Sequence, residues 1–277
     1  MIRWPLLVAT VVWSLLAPCL TAAAQKQTLH LPRDYALLIT GIAGDDDHYR
    51  KFWKLTIEMY RVLRTRYGYS DEEIVCLFQD KSDEAKIVDA VSRRAQIEAA
   101  FRDLATRLRR EDRLLIFVVA HADYDGRRTR LHLPGPDISA KEFARLVNLL
   151  PCERIITVVT TPVSGYFLPL LSKKGRITIT ATLRAKEISE TVFPYSFVRA
   201  LENPKTDTDG NGRLSVLELF RFARDDVMNF YRKRKLLPTE HAMLDDNGDA
   251  IGSQTIDEES QDGQLAGRTY FEPVVGG

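Results

Sequence analysis

RLLIFVVAHADYDG, residues 113–126, and RIITVVTTPVSG, residues 154–165, are each an unbroken aliphatic and β-branched run that gives way abruptly to polar and turn-forming residues. Continuous apolar runs of this length mark strands buried on both faces, as in a parallel sheet covered by helices. They predict strands over 113–120 and 154–161, and three further runs extend the set, at 35–40, 74–78 and 176–182. Between them lie segments of helical period at 49–67, at 95–108, with Ile97, Phe101, Leu104 and Leu108 on one face, and at 139–150, where Ser139 and Glu142 form a capping box. Strands alternating with helices imply an α/β fold, a largely parallel sheet flanked by helices on both faces.

In an open parallel sheet the functional groups gather beyond the carboxyl ends of the strands. The third strand runs into His121, Ala122, Asp123, Tyr124, Asp125 and Gly126, and the fourth into Thr160, Thr161, Pro162, Val163, Ser164 and Gly165. The 41–47 loop after the first strand and the cluster of Arg127, Arg128 and Arg130 belong to the same edge. By residue type alone, His121 is a candidate base and Ser164, Thr160 or Thr161 a candidate hydroxyl nucleophile. The plainer reading is a strand-end histidine held by a local hydrogen bond.

Over residues 35–201 this order of elements resembles the caspase and legumain clan of cysteine peptidases, nearest the legumain type. In that clan the third strand ends in His-Gly, and a cysteine ends the fourth in a context like Ala-Cys-x-Ser-Gly. The resemblance lays the histidine on His121 and the Ser-Gly on Ser164 and Gly165, which puts Pro162 at the nucleophile position. It implies a caspase/haemoglobinase-like sheet carrying a peptidase site, and Pro162 removes the chemistry from that site. Proline offers no attacking atom and no backbone N–H for an oxyanion hole, and losing one such donor typically costs roughly 10²- to 10³-fold in rate. The clan's glycine after the histidine is Ala122 here. The expectation is a catalytically inactive peptidase homologue, a pseudoenzyme with a vestigial His121, whose strand-end cleft binds a peptide or protein. The alternative is an active endopeptidase or hydrolase in which His121 serves Ser164 or a neighbouring threonine.

A second motif names its own ligand. DTDGNGRLSVLE, residues 207–218, follows the twelve-residue EF-hand calcium loop. Asp207, Asp209 and Asn211 supply oxygens at positions 1, 3 and 5, Gly212 allows the turn at 6, and the Arg213 carbonyl stands at 7. Ser215, through water, and a bidentate Glu218 complete an all-oxygen shell for Ca²⁺. Ser215 and Glu218 also spell a capping box, so an acidic turn before a helix is the bland counterpart. The outgoing helix is strong, with Val216, Leu219, Phe220, Ala223, Val227, Phe230 and Tyr231 on one face. The incoming run at 193–201 is short, and Pro204 interrupts it. A lone loop of this kind reads as a structural clip rather than a sensor; a calcium-regulated interaction module remains a third reading. A later acidic run, Asp245, Asp246, Asn247, Gly248 and Asp249, has no carboxylate at position 12 in either register. It reads as an Asx-rich turn, with a second ion there left open.

The N-terminus carries Arg3, an apolar run over 4–20 and the small residues Thr21, Ala22, Ala23 and Ala24, a secretory signal peptide cleaved near Ala24. The run is short for a bilayer and contains Pro5 and Pro18, Pro18 before Cys19 argues against lipid attachment, and no later segment is apolar enough to span. The expected location is secreted or periplasmic. The 39 Lys and Arg face 38 Asp and Glu, and loss of Arg3 balances them, which leaves no general basic surface for nucleic acid. The organisation expected is a signal peptide over 1–24, a caspase/legumain-like domain over 25–202, the calcium loop and helix over 203–235, and an acidic extended segment over 236–277 packing on the same domain, with 244–267 on the surface. Cys76 sits inside the apolar run IVCLF, which favours a buried thiol, whereas an oxidising compartment permits a disulfide to Cys152. Their pairing stays open at this level.

Overall fold

The structure, a computed structural model, describes residues 1, 31–81, 86–184, 187–257 and 259–274. The chain divides into two units, Met1–Leu31 and Pro32–Gly277. The signal-peptide reading lies outside the described residues. No helix among the described residues is long and apolar enough to cross a membrane.

In chain order the second unit comprises β1 (Asp34–Thr40), α1 (Asp46–Thr65), β2 (Ile74–Phe78), β3 (Ala90–Val91), α2 (Arg94–Arg107), β4 (Arg113–Val119), β5 (Ala122–Tyr124), β6 (Thr129–Leu131), β7 (Ile138–Ser139), α3 (Ala140–Asn148), β8 (Arg154–Val159), α4 (Leu168–Leu171), β9 (Ile177–Thr180), α5 (Phe193–Glu202), β10 (Leu214–Ser215), α6 (Val216–Arg234), β11 (Met243–Asp245) and β12 (Tyr270–Phe271). The main sheet has the order β11-β9-β8-β4-β1-β2-β3. All of its pairings are parallel except β11 with β9. This is the largely parallel, helix-flanked α/β sheet that the apolar runs imply. The expected strands and helices are present, with ends displaced by up to three residues. Helix α1 begins early because the Asp45 carboxylate accepts the His48 N–H at 2.9 Å and caps it.

Alternation along each strand divides the core in two. Leu115, Phe117 and Val119 of β4 pack with Phe52 of α1, Phe197 of α5 and Phe220 of α6. Leu114, Ile116 and Val118 pack on the opposite face with Phe101 of α2 and Phe143 of α3. Strand β4 is thus covered on both sides, which is why its sequence shows no polar alternation.

The acidic stretch over 244–267 is only in part the surface segment expected, since buried residues punctuate it. Its first residues form β11, an antiparallel edge strand on β9, and Leu244, Asp245, Asp246 and Asp262 are all buried. Asp246 escapes the usual penalty for a buried carboxylate by accepting the N–H groups of Gly263 at 2.8 Å and Ala266 at 2.7 Å.

Cys76 and Cys152 are both buried, one in each core. Burial pushes the Cys152 thiol up to about 11. No disulfide joins the two, because they lie in the cores on opposite faces of the sheet. A chain lacking residues 1–24 should give two titratable thiols in urea without reductant and essentially none while folded; an absence of thiols in urea would contradict this packing.

Candidate functional site

Because β1, β4, β8 and β9 run parallel, their carboxyl ends meet at one edge of the sheet. Gly41 continues the ladder by giving its N–H to the Val119 carbonyl at 2.8 Å. It is necessarily glycine, since a Cβ there would come within 2.3 Å of the His132 carbonyl oxygen and 2.7 Å of the Ala120 Cβ. That close approach carries the following turn over the end of β4. There the Ala43 carbonyl meets His121 Nε2 at 2.8 Å. A carbonyl can only accept, so Nε2 carries a proton. The ring is flanked by Phe52 at 5.3 Å and meets His48 edge-on at 5.0 Å between centroids.

His121 and Pro162 come together as the resemblance implies, lining one cavity with Thr160, Glu190, Thr191 and Tyr195. The cavity measures about 10 Å³, the space of roughly one water molecule. The nearby hydroxyls are committed: Thr160 Oγ1 donates to the Val118 carbonyl at 2.8 Å and Thr161 Oγ1 to the Pro162 carbonyl at 2.9 Å. After Pro162, Val163 takes φ +49°, a left-handed conformation that costs a β-branched residue about 1–3 kcal/mol. This turn delivers Ser164 to the end of β9.

Ser164 is fully buried, and its Oγ accepts the N–H groups of Ala181 and Thr182, both at 3.0 Å, while lying 2.9 Å from Thr182 Oγ1. Gly165 is held against the same segment, where a Cβ would meet the Thr182 carbonyl oxygen at 2.7 Å. No hydrogen bond joins Ser164 to His121 among the described residues. The Ser-Gly pair thus splices the end of β8 onto the end of β9.

A groove of about 490 Å³ lies beside this edge, between the β5–β6 hairpin and α3. Tyr166, next in the turn, stacks on Tyr124 at 4.1 Å between centroids and 19° between planes. Arg127, Arg128, Lys141 and Arg145 line the groove. Its carboxylate, Glu142, is bound to Arg94 and caps α3 through Ser139. Residue order gives no sign of the Tyr124–Tyr166 stack, nor of His48 standing between Asp45 at 2.7 Å and Glu190 at 3.3 Å.

The metal-ligand candidates converge in the 207–218 loop. One ligand oxygen from each of Asp207, Asp209 and Glu218 lies within 4.8 Å of the others. Asn211 joins them, its N–H reaching Asp207 Oδ1 at 3.2 Å and its amide Asp209 Oδ2 at 2.7 Å. Gly210 and Gly212 have φ of +69° and +78°, which folds the loop round these oxygens. Glu218 Oε1 accepts the Thr208 N–H at 2.8 Å, and its Oε2 accepts the N–H and hydroxyl of Ser215 at 2.9 and 2.8 Å. Burial would raise the Glu218 carboxyl, but these donors outweigh it and hold its pKa below the ordinary value. Its stabilising effect is therefore present above the ordinary glutamate pKa and is lost as pH falls through the lowered one. The loop strand β10 pairs antiparallel with β12, Leu214 opposite Phe271 and Ser215 opposite Tyr270, and Arg213 lies over the Tyr270 ring at 4.0 Å. The oxygen donors and the wrapped backbone fit a hard cation such as calcium.

No family model matches the chain, and no curated protein sequence matches it. Among solved structures it is similar to caspase-1 from Spodoptera frugiperda, at 12% identity over 78% of this chain and 87% of that one, with a TM-score of 0.48.

Replacing Ser164 by alanine should leave the Thr182 N–H without an acceptor and cost about 1–3 kcal/mol in urea denaturation. An unchanged stability would mean that this hydroxyl is free for other work.

Proposed function

We propose that the protein is an exported calcium-binding protein of caspase- or legumain-like fold, a peptidase homologue that acts by binding and not by cleavage. The observation that carries this reading is the convergence of Asp207, Asp209 and Glu218 on one point, inside a loop whose other donors are oxygens. When bound there, calcium supplies a fixed positive charge that draws the two ends of the loop together. Asp207, Asp209, Asn211, the Arg213 carbonyl, Ser215 through water, and Glu218 would hold it. Because the same loop carries β10, the ion braces α5, α6 and the β12 strand against one another and serves as a clip.

Export rests on the Arg3 and apolar-run pattern of the N-terminus. Inactivity rests on Pro162, beside His121, with no attacking atom and no N–H. Hydroxyl catalysis finds no support, since Thr160, Thr161 and Ser164 each spend their hydroxyl on a backbone or neighbouring group. The binding surface is the groove lined by Arg127, Arg128, Lys141 and Arg145 around stacked tyrosines, whose charge suits an acidic peptide or protein segment.

Calorimetric titration of the chain lacking residues 1–24 should show calcium binding, and calcium at a hundred times Kd should add about 2.7 kcal/mol of stability. Asp209→Ala should lose the part of this gain that the 207–218 loop contributes and keep the calcium-free melting temperature. Ser215→Ala should lower stability by about 1 kcal/mol with or without calcium, through the lost cap. The same chain should leave a broad peptide library intact; cleavage that disappears in His121→Ala would overturn the inactive assignment.

A further inference from the structure

The 245–251 turn repeats the backbone of the 207–218 loop. Counting Asp245 as the first residue, the fourth and sixth are Gly248 and Ala250, with φ of +83° and +68°, beside +69° and +78° at Gly210 and Gly212. Ala250 is thus an L-residue held left-handed where a calcium loop calls for glycine. The internal hydrogen bonds correspond as well. The fifth N–H reaches the third side chain in both, Asn211 to Asp209 Oδ1 at 3.1 Å and Asp249 to Asn247 Oδ1 at 2.7 Å. The seventh N–H reaches the fifth side chain, Arg213 to Asn211 at 2.8 Å and Ile251 to Asp249 at 2.7 Å.

Turn geometry alone would not indicate a ligand; the environment of Asp245 does. It is 1% exposed, its Oδ1 accepts the Gly248 N–H at 3.0 Å, and the Ser172 hydroxyl and the Ala250 N–H stand close enough to favour its charged form, yet among the described residues its buried Oδ2 has no partner in hydrogen-bond geometry. Leaving a carboxylate oxygen buried, charged and unmatched is unfavourable unless a cation or a proton meets it. The charges acting on the cluster are of its own sign: Asp249 on Asp245, and Asp245 and Asp246 on Asp262. The sequence places no Lys or Arg between Lys235 and Arg268, and the basic residues packed on the turn are Lys173 and Lys174, whose backbone lies against Gly248.

We propose that Asp245, Asn247, Asp249 and the Ile251 carbonyl form a second calcium site, distinct from the 207–218 loop. It is the front half of a calcium loop. At its ninth position the chain turns back, Ser253 pairing with Leu244 and giving its hydroxyl to Asp262 at 2.6 Å, and the twelfth residue is the buried Ile256. With no bidentate carboxylate to close the shell, water supplies the remaining ligands, and binding is weaker than at the 207–218 loop.

Equilibrium dialysis of the chain lacking residues 1–24 against millimolar calcium tests this by stoichiometry. The wild type should hold two ions, Asp209→Ala one, Asp249→Ala one, and the double variant none. Asp249 and Asp209 are both exposed, so neither change disturbs the core, and unchanged circular dichroism checks the fold. One ion in the wild type that Asp209→Ala removes would overturn the second site and leave the first standing. One ion that only Asp249→Ala removes would overturn the first and keep the second. Two ions retained in Asp249→Ala would also reject the assignment.

Discussion

Strand β4 is hydrogen-bonded in parallel along both edges, to β1 from Asp34 opposite Arg113 to Thr40 opposite Val119, and to β8 from Arg113 opposite Arg154 to Val118 opposite Val159. That double pairing decides where chemistry is possible. It delivers the residues after three strands to one edge, and so brings His121 and Pro162 to the same cavity although they lie far apart in the chain. The cores on the two faces of the sheet hold the register, because a slip of one residue would exchange Phe117 for Ile116 and every neighbour with it. Given this frame, what the edge can do depends on the few residues placed there. On the proposed reading, Pro162 beyond the end of β8 leaves the edge without an attacking atom, while the left-handed Val163 leads into the Ser164 contacts that join β8 to β9.

The C-terminal part of the chain is organised by oxygen donors and their partners. Glu218 ties the start of the 207–218 loop to the start of α6, and β10 within that loop holds β12. A paired calcium loop would ordinarily meet the strand of a second loop; here the strand Tyr270–Phe271 takes that place. On the proposed reading this association makes the ion part of the fold rather than a switch.

The strands at 113–119 and 154–159 were legible in the sequence because a strand buried on both faces leaves an uninterrupted apolar record. The turns of the 207–218 loop were legible because glycines at fixed spacing, Gly210 and Gly212, mark the positive φ angles that the backbone takes there. Strand β11 was not, since its acidic continuation reads as solvated surface. Its burial depends on N–H groups donated to Asp246 by Gly263 and Ala266, contacts that no local pattern encodes. The same is true of the Ala43 carbonyl on His121 and of the Tyr124–Tyr166 stack, each made by segments far apart in sequence. The role of Ser164 was hidden for another reason. A serine beside a glycine at a strand end looks identical whether its hydroxyl faces a ligand or two backbone N–H groups.

The central claim, that an ion in the 207–218 loop braces the structure through β10 and β12 while the His121 edge stays inert, is tested most directly by amide hydrogen exchange in calcium and in chelator. The account predicts slower exchange in calcium across 207–218 and at Tyr270 and Phe271, with no change around His121 and Pro162. Equal exchange of the loop and of β12 in the two conditions would contradict it.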